Sequence, residues 1–121
     1  MSFNLLGRNI HPIALSSINA SALNANYQAL NGSGLEEPCL FIRICNASTS
    51  DVTISFDGTN DHEFLAGTVA TIPRESLVYY PGENNVNNIP LLFHKGQIIY
   101  LKGAAGVGSI YLSGYYQSSY K

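Results

Sequence analysis

Residues 39–58, CLFIRICNASTSDVTISFDG, decide the fold class. Their side chains alternate with a period of two, the mark of extended chain, in which successive Cβ atoms point to opposite faces. In residues 39–45, Leu40, Ile42 and Ile44 share one face while Cys39, Phe41, Arg43 and Cys45 share the other. Both faces are apolar enough to predict a strand at the centre of a sheet, covered on both sides. In residues 51–58, Val52, Ile54 and Phe56 alternate with Thr53 and Ser55, which predicts a half-buried strand with its hydroxyls turned to water. The polar segment NASTSD between the two reads as a hairpin loop. Beyond Phe56, Gly58 can take positive φ, and Asp57, Asn60 and Asp61 can bond their own backbone, so DGTND is a turn.

The same rhythm runs on to the C-terminus. Short strands are expected at residues 62–65, 68–73 (TVATIP), 76–80 (SLVYY), 97–102 (QIIYLK) and 109–117 (SIYLSGYYQ), with a turn-rich loop at residues 82–90. In the last of these, Ile110, Leu112 and Tyr116 face one way, and Tyr111 and Tyr115 the other. Residues 103–108, small and glycine-rich, read as a hairpin loop between the final two strands. Upstream, residues 1–12 have no clear period and read as an extended arm. Residues 14–30 fit helical and strand spacing about equally, but Ser and Asn are poor helix-interior residues, so a strand over residues 23–30 is favoured. The sum is an all-β chain of about 7–9 short strands, an antiparallel β-sandwich or jelly roll. Residues 1–22 form an N-terminal arm and lead-in, and residues 23–121 a single domain.

Composition narrows the function. The chain has 121 residues, and charged residues make up only 12% of it while apolar ones reach 45%. Roughly 25% charge is usual, so neutral polar residues must fill much of the surface. A formal net charge of −2 offers no basic footprint, which argues against a nucleic-acid partner. Residues 1–15 lack the pattern of a secretory signal, and no run reaches the ~18 apolar residues of a membrane span. The expectation is a protein made in a cytosol, with no membrane partner. Cys39 and Cys45 are too far apart along a strand to pair, and read as free, buried or half-buried thiols. Asn-x-Ser sequons at Asn19, Asn31 and Asn46 are expected by chance in so Asn- and Ser-rich a chain.

Few residues suggest chemistry. Asp57, Asn60 and Asp61 form a weak Ca²⁺ candidate without EF-hand spacing, and a turn held by side-chain to backbone bonds is the stronger reading. His11, His62 and His94 show no zinc spacing, and no GxSxG elbow is present. GAAGVG (residues 103–108) is followed by a strand instead of the helix that a phosphate loop needs. Neither an enzyme nor a bound cofactor is expected; a hydrolase would require Ser, His and Asp side chains converging in a pocket. Tyrosines say more, because Tyr gives large contact area at low entropy cost and is enriched at protein interfaces. Interface candidates are therefore Tyr79, Tyr80, Tyr115, Tyr116 and Tyr120, with Phe3, Leu5, Leu6 and Ile10 of the arm. The alternative is that these tyrosines merely cover sheet faces. A carbohydrate-binding sandwich would use the same aromatics by stacking.

Residues 44–67, ICNASTSDVTISFDGTNDHEFLAG, and the closing GSIYLSGYY of residues 108–116 resemble small β-sandwich virion proteins of tailed bacteriophages. The likeness runs from Cys39 to Tyr116, about two-thirds of the chain, and its motifs are structural punctuation. It implies a non-enzymatic virion protein made in the host bacterial cytoplasm. One form is a capsid cement (decoration) subunit lying over the major capsid protein; the alternative is a neck or head-to-tail ring subunit beside the portal. It also implies a homo-oligomer, with residues 1–12 in the position of an arm that reaches a neighbour.

Overall fold

Period-two alternation becomes strand along most of the chain that the computed structural model describes, residues 10–68, 75–79, 83–84, 89–90 and 92–117. The strands are β1 (Ile10–Pro12), β2 (Ser16–Asn19), β3 (Gln28–Ala29), β4 (Phe41–Ser48), β5 (Val52–Ser55), β6 (Glu63–Leu65), β7 (Glu75–Tyr79), β8 (Glu83–Asn84), β9 (Ile89–Pro90), β10 (Tyr100–Gly103) and β11 (Gly108–Gln117). In one sheet, β1 and β2 lie end to end along one edge of β11, followed by β4 and β7. The other sheet has the order β3, β10, β5, β6, and β8 pairs with β9 in a separate two-residue ladder. All pairings are antiparallel. The two larger sheets pack face to face as the expected all-β sandwich, nine strands in all, and no α-helix occurs among the described residues.

The core lies where alternation places it. Ile42 and Ile44 of β4 with Ile110 and Leu112 of β11 meet Val52, Ile54, Leu65 and Leu101 of the opposite sheet. Burying each such side chain contributes roughly 1.5–3 kcal/mol relative to leaving it in water. Cys39, Phe93, Leu35, Leu30 and Ile99 close one end of this core, with Cys39 and Phe93 exchanging both backbone hydrogen bonds at 2.9 Å.

Two expected hairpins are corner turns between the layers. β4 and β5 belong to different sheets, as do β10 and β11, so residues 49–51 and 104–107 carry the chain across the sandwich instead of back along its own sheet. The β4–β5 corner is built on Asn46, which is fully buried. Its Nδ2 donates to the carbonyls of Ser50 at 2.8 Å, Leu65 at 3.1 Å and Ala66 at 3.2 Å, while its Oδ1 accepts from Ser48 Oγ at 2.6 Å and Ser48 N at 3.1 Å. Buried backbone at a corner needs partners, and one amide supplies them. The corners also bond to each other: Thr49 N–H donates to the Val107 carbonyl at 2.9 Å, and Ser50 Oγ to the Ala104 carbonyl at 2.6 Å. Alternation alone cannot separate a hairpin from such a corner, because both satisfy the same parity.

Other expectations need correction. The segment over residues 23–30 is strand only at Gln28–Ala29 and is preceded by a 3-10 turn over Ala20–Ala22. Asn19 Oδ1 accepts from Ser21 N–H at 2.9 Å and Asn24 Oδ1 from Asn26 N–H at 2.8 Å, and these local bonds compete with the ladder. Residues 10–22, read as arm and lead-in, are built into the five-stranded sheet: β1 and β2 pair with β11, and buried Ile13 packs on the core. The rest of the expected arm, residues 1–9 of 1–12, and most of the expected strand at residues 68–73 lie outside the described residues. β4 is central, as expected, but among the described residues its two faces differ: Ile42 and Ile44 are buried, whereas Arg43 is exposed and Phe41 and Cys45 are half-buried. Ser55, expected to face water, is fully buried.

Candidate functional site

The densest group of polar side chains folds over the outer side of the four-stranded sheet. Ser55 at the end of β5 starts it, its Oγ accepting from Gly58 N–H at 2.9 Å and Asp57 N–H at 3.2 Å and donating to Asp57 Oδ1 at 2.9 Å. Asp57 Oδ1 also accepts from Thr59 N–H and Asn60 N–H, both at 2.8 Å, and Oδ2 from Asn60 Nδ2 at 2.8 Å. Gly58 turns the chain at φ +79°, its α-carbon facing the Tyr100 ring. Backbone donors at Asn60 and then Thr59 hold the Asp57 carboxyl far below the usual carboxylate range. The turn reading of DGTND is what the structure shows.

Asp61 and His62 face other partners. Asp61 Oδ1 accepts from the Tyr27 hydroxyl and lies 3.3 Å from Lys102 Nζ, which also sits 4.6 Å from the Tyr27 ring centroid. These contacts, the Tyr27 bond foremost, lower the Asp61 pKa. Loss of water contact, followed by the bond to Asp61, pushes the Tyr27 phenol up to about 12. His62 Nδ1 accepts from Phe56 N–H at 2.9 Å, and Nε2 is 3.9 Å from Asp57 Oδ2. Of the Ca²⁺ candidate Asp57, Asn60 and Asp61, both carboxylate oxygens of Asp57 and Oδ1 of Asp61 are engaged by protein donors. Among the described residues, no three His, Cys, Asp or Glu side chains gather where a metal ion fits.

Ser55, Asp57 and His62 are close neighbours, so the group has the composition of a catalytic triad. Its bonding is that of a clamped turn. Ser55 Oγ is buried and directed at the carboxylate, and His62 Nδ1 is occupied by a backbone donor, whereas a nucleophile requires a free base on its hydroxyl. Cys39 is buried, and that burial raises its pKa, the opposite of an activated thiolate. Cys45 is also a free thiol, half-buried. The sequons at Asn31 and Asn46 have buried amides engaged by backbone, with Asn31 Nδ2 on the Gln97 carbonyl at 3.1 Å and Oδ1 taking Ile99 N–H at 2.8 Å.

Two open depressions lie among the described residues. One, of about 280 Å³, lies between Asp57, His94 and Tyr100. Another, of about 500 Å³, is lined by Thr53, Asp61, His62, Glu63 and Phe64. Phe64 on the edge strand β6 is 62% exposed.

The outer face of the five-stranded sheet is of a different kind. The registers place Tyr111, Ser113 and Tyr115 of β11 beside Cys45, Arg43 and Phe41 of β4, and Arg43 and Cys45 beside Val78 and Ser76 of β7. Pro12 lies opposite Tyr115, and Ile10 opposite Gln117. Phe41 and Tyr115 stack with centroids 5.0 Å apart. Ile10 is 50% exposed, Val78 45% and Tyr111 36%. Arg43 is the sole charged residue these registers place on the face, and its Nη2 donates to Ser76 Oγ at 3.2 Å.

The interface candidates divide accordingly. Ile10 and Tyr115 are on this outer face. Tyr79 and Tyr116 are on the core side: Tyr79 stacks on Phe56 at 4.6 Å and lies 6.0 Å from Phe93, and Tyr116 packs against the core with His11 at 5.5 Å. Phe3, Leu5, Leu6, Tyr80 and Tyr120 lie outside the described residues. Tyr111, Val78, Arg43 and Phe64 were not among the candidates, although alternation along their strands carries the signal that they point outward. No family model, curated protein or solved structure matches the chain.

Proposed function

We propose that the chain is a structural subunit of a bacteriophage virion, of the type that binds the major capsid protein and stabilises the head. The observation that carries this reading is the outer face of the five-stranded sheet, where Tyr111, the Phe41–Tyr115 stack, Val78 and Ile10 surround one arginine. Aromatic and Arg-containing faces depleted in Lys and Glu suit protein partners. The scarcity of charge, 12% of residues, fits a surface that is largely covered in an assembly. Repetition of one modest contact over a lattice gives firm attachment through multivalency.

A neck or head-to-tail ring subunit shares this architecture and differs in copy number. A cement subunit follows the capsid lattice at on the order of hundreds of copies per particle, a ring subunit about a dozen. The test is quantitative mass spectrometry of purified particles, which should find the chain in fixed ratio to the major capsid protein. Its absence from particles would remove both forms. Phe64 beside Asp61 and Glu63 also offers an aromatic surface next to carboxylates, as a sugar-binding module would. That alternative predicts glycan affinity in the isolated chain, and the virion reading predicts none. Deleting residues 1–9, which spares β1, tests the arm: incorporation should fall if the arm reaches a neighbour.

A further inference from the structure

Two charges of opposite sign occupy opposite layers of the sandwich, each beside exposed apolar side chains. On the five-stranded side, Arg43 lies between Ser113 and Val78 in the ladder, and among the described residues no carboxylate is within ion-pair distance of it. On the four-stranded side, Glu63 and the 62% exposed Phe64 line the open depression beside Thr53. The Glu63 carboxylate forms no side-chain hydrogen bond or ion pair among the described residues. Asp57 and Asp61 on the adjoining turn make that side acidic, with Lys102 offsetting Asp61 alone.

We propose that these two faces bind each other, the five-stranded face of one copy covering the Phe64–Glu63 edge of a second copy and Arg43 pairing with Glu63 across the contact. A charge desolvated without a partner is costly, whereas complementary potentials steer association and set its register. The arrangement is head-to-tail. Pairing the five-stranded face with itself about a twofold axis would give Arg43 no carboxylate partner, since it is the sole charged residue the registers place there. A heterologous contact repeats from copy to copy and closes into a ring where the rotation allows. The inference rests on reading the five-stranded face as a protein-binding one in an assembly, and gives it a neighbouring copy of this chain, in place of the capsid protein, as its occupant.

Sedimentation velocity of the full chain at low salt, over concentrations up to about 1 mM, tests it. Wild type should associate beyond the monomer, more weakly as salt rises. Arg43→Glu and Glu63→Lys should each weaken association by roughly tenfold or more, and the double variant should regain it. Phe64→Ser, on an exposed side chain, should weaken it as well. A wild type that stays monomeric throughout, or single variants that associate as strongly as wild type, would overturn the proposal. A monomer that nevertheless incorporates into particles would defeat this contact and leave the virion reading standing; association without incorporation would do the reverse.

Discussion

The amide of Asn46 donates to the carbonyl of Ser50 at 2.8 Å, across the turn that carries the chain from one sheet into the other. The same side chain reaches the carbonyls at the end of β6, so one residue joins three segments at a buried corner. Replacing Asn46 with Ala leaves those carbonyls and the Ser48 hydroxyl short of partners. The expected loss is about 2–4 kcal/mol, read from the shift of a chemical denaturation curve at constant slope. Asn46→Leu should be no better, because volume cannot replace the donors.

At the companion corner, Gly108 opens β11 with φ +97°, and a Cβ there would stand 2.5 Å from the Ala47 carbonyl oxygen. Gly108→Ala should cost roughly 1–3 kcal/mol. Gly32, with open space around it, is the control, and Gly32→Ala should lie within about 0.5 kcal/mol of wild type. Thermal denaturation of both variants checks the pair.

Asp57 makes stability depend on pH in a stated direction. Its folded pKa is depressed by the backbone donors of Asn60 and Thr59, so its contribution is present above the unfolded pKa of about 3.9 and is lost as pH falls below it. Asp57→Ala should therefore unfold at a lower temperature than wild type at pH 7. The gap should narrow steadily as the pH is taken below 4. A gap unchanged in acid would show that the turn does not depend on the carboxylate charge.

Tyr79 and Tyr111 separate packing from binding. Tyr79→Ala removes a ring stacked on Phe56 and close to Phe93, and should cost about 2–4 kcal/mol. Tyr111→Ser, on the outer face, should cost less than about 1 kcal/mol and lower self-association instead. Melting temperature and sedimentation, measured on both variants, tell the two roles apart.

The strands of this chain are legible in its residues because burial obeys parity: Ile42, Ile44, Ile110 and Leu112 are core residues on alternation alone. Parity also placed Tyr111 and Tyr115 together on the opposite face. It does not say which sheet a strand joins. The β4–β5 and β10–β11 connections could be recognised as layer crossings only by knowing that Ser50 would reach Ala104, 54 residues away. Nor does parity show that Tyr79 packs against the core, since the rings beside it come from Phe56, past the end of β5, and from Phe93, both distant in sequence. The turn at Asp57 was readable because its bonds are local, and the division of carboxylates between Asn60, Tyr27 and Lys102 was not, because two of those partners are remote.

The central claim is that the outer face of the five-stranded sheet binds protein in an assembled particle. It is tested most directly by the occupancy, on purified particles, of a chain carrying Tyr111→Ser and Arg43→Glu, measured against wild type by quantitative mass spectrometry. The account predicts that wild type is present in a fixed ratio to the capsid protein, while the variant, folded by its melting curve, is strongly depleted. Equal occupancy of the folded variant and wild type would contradict it.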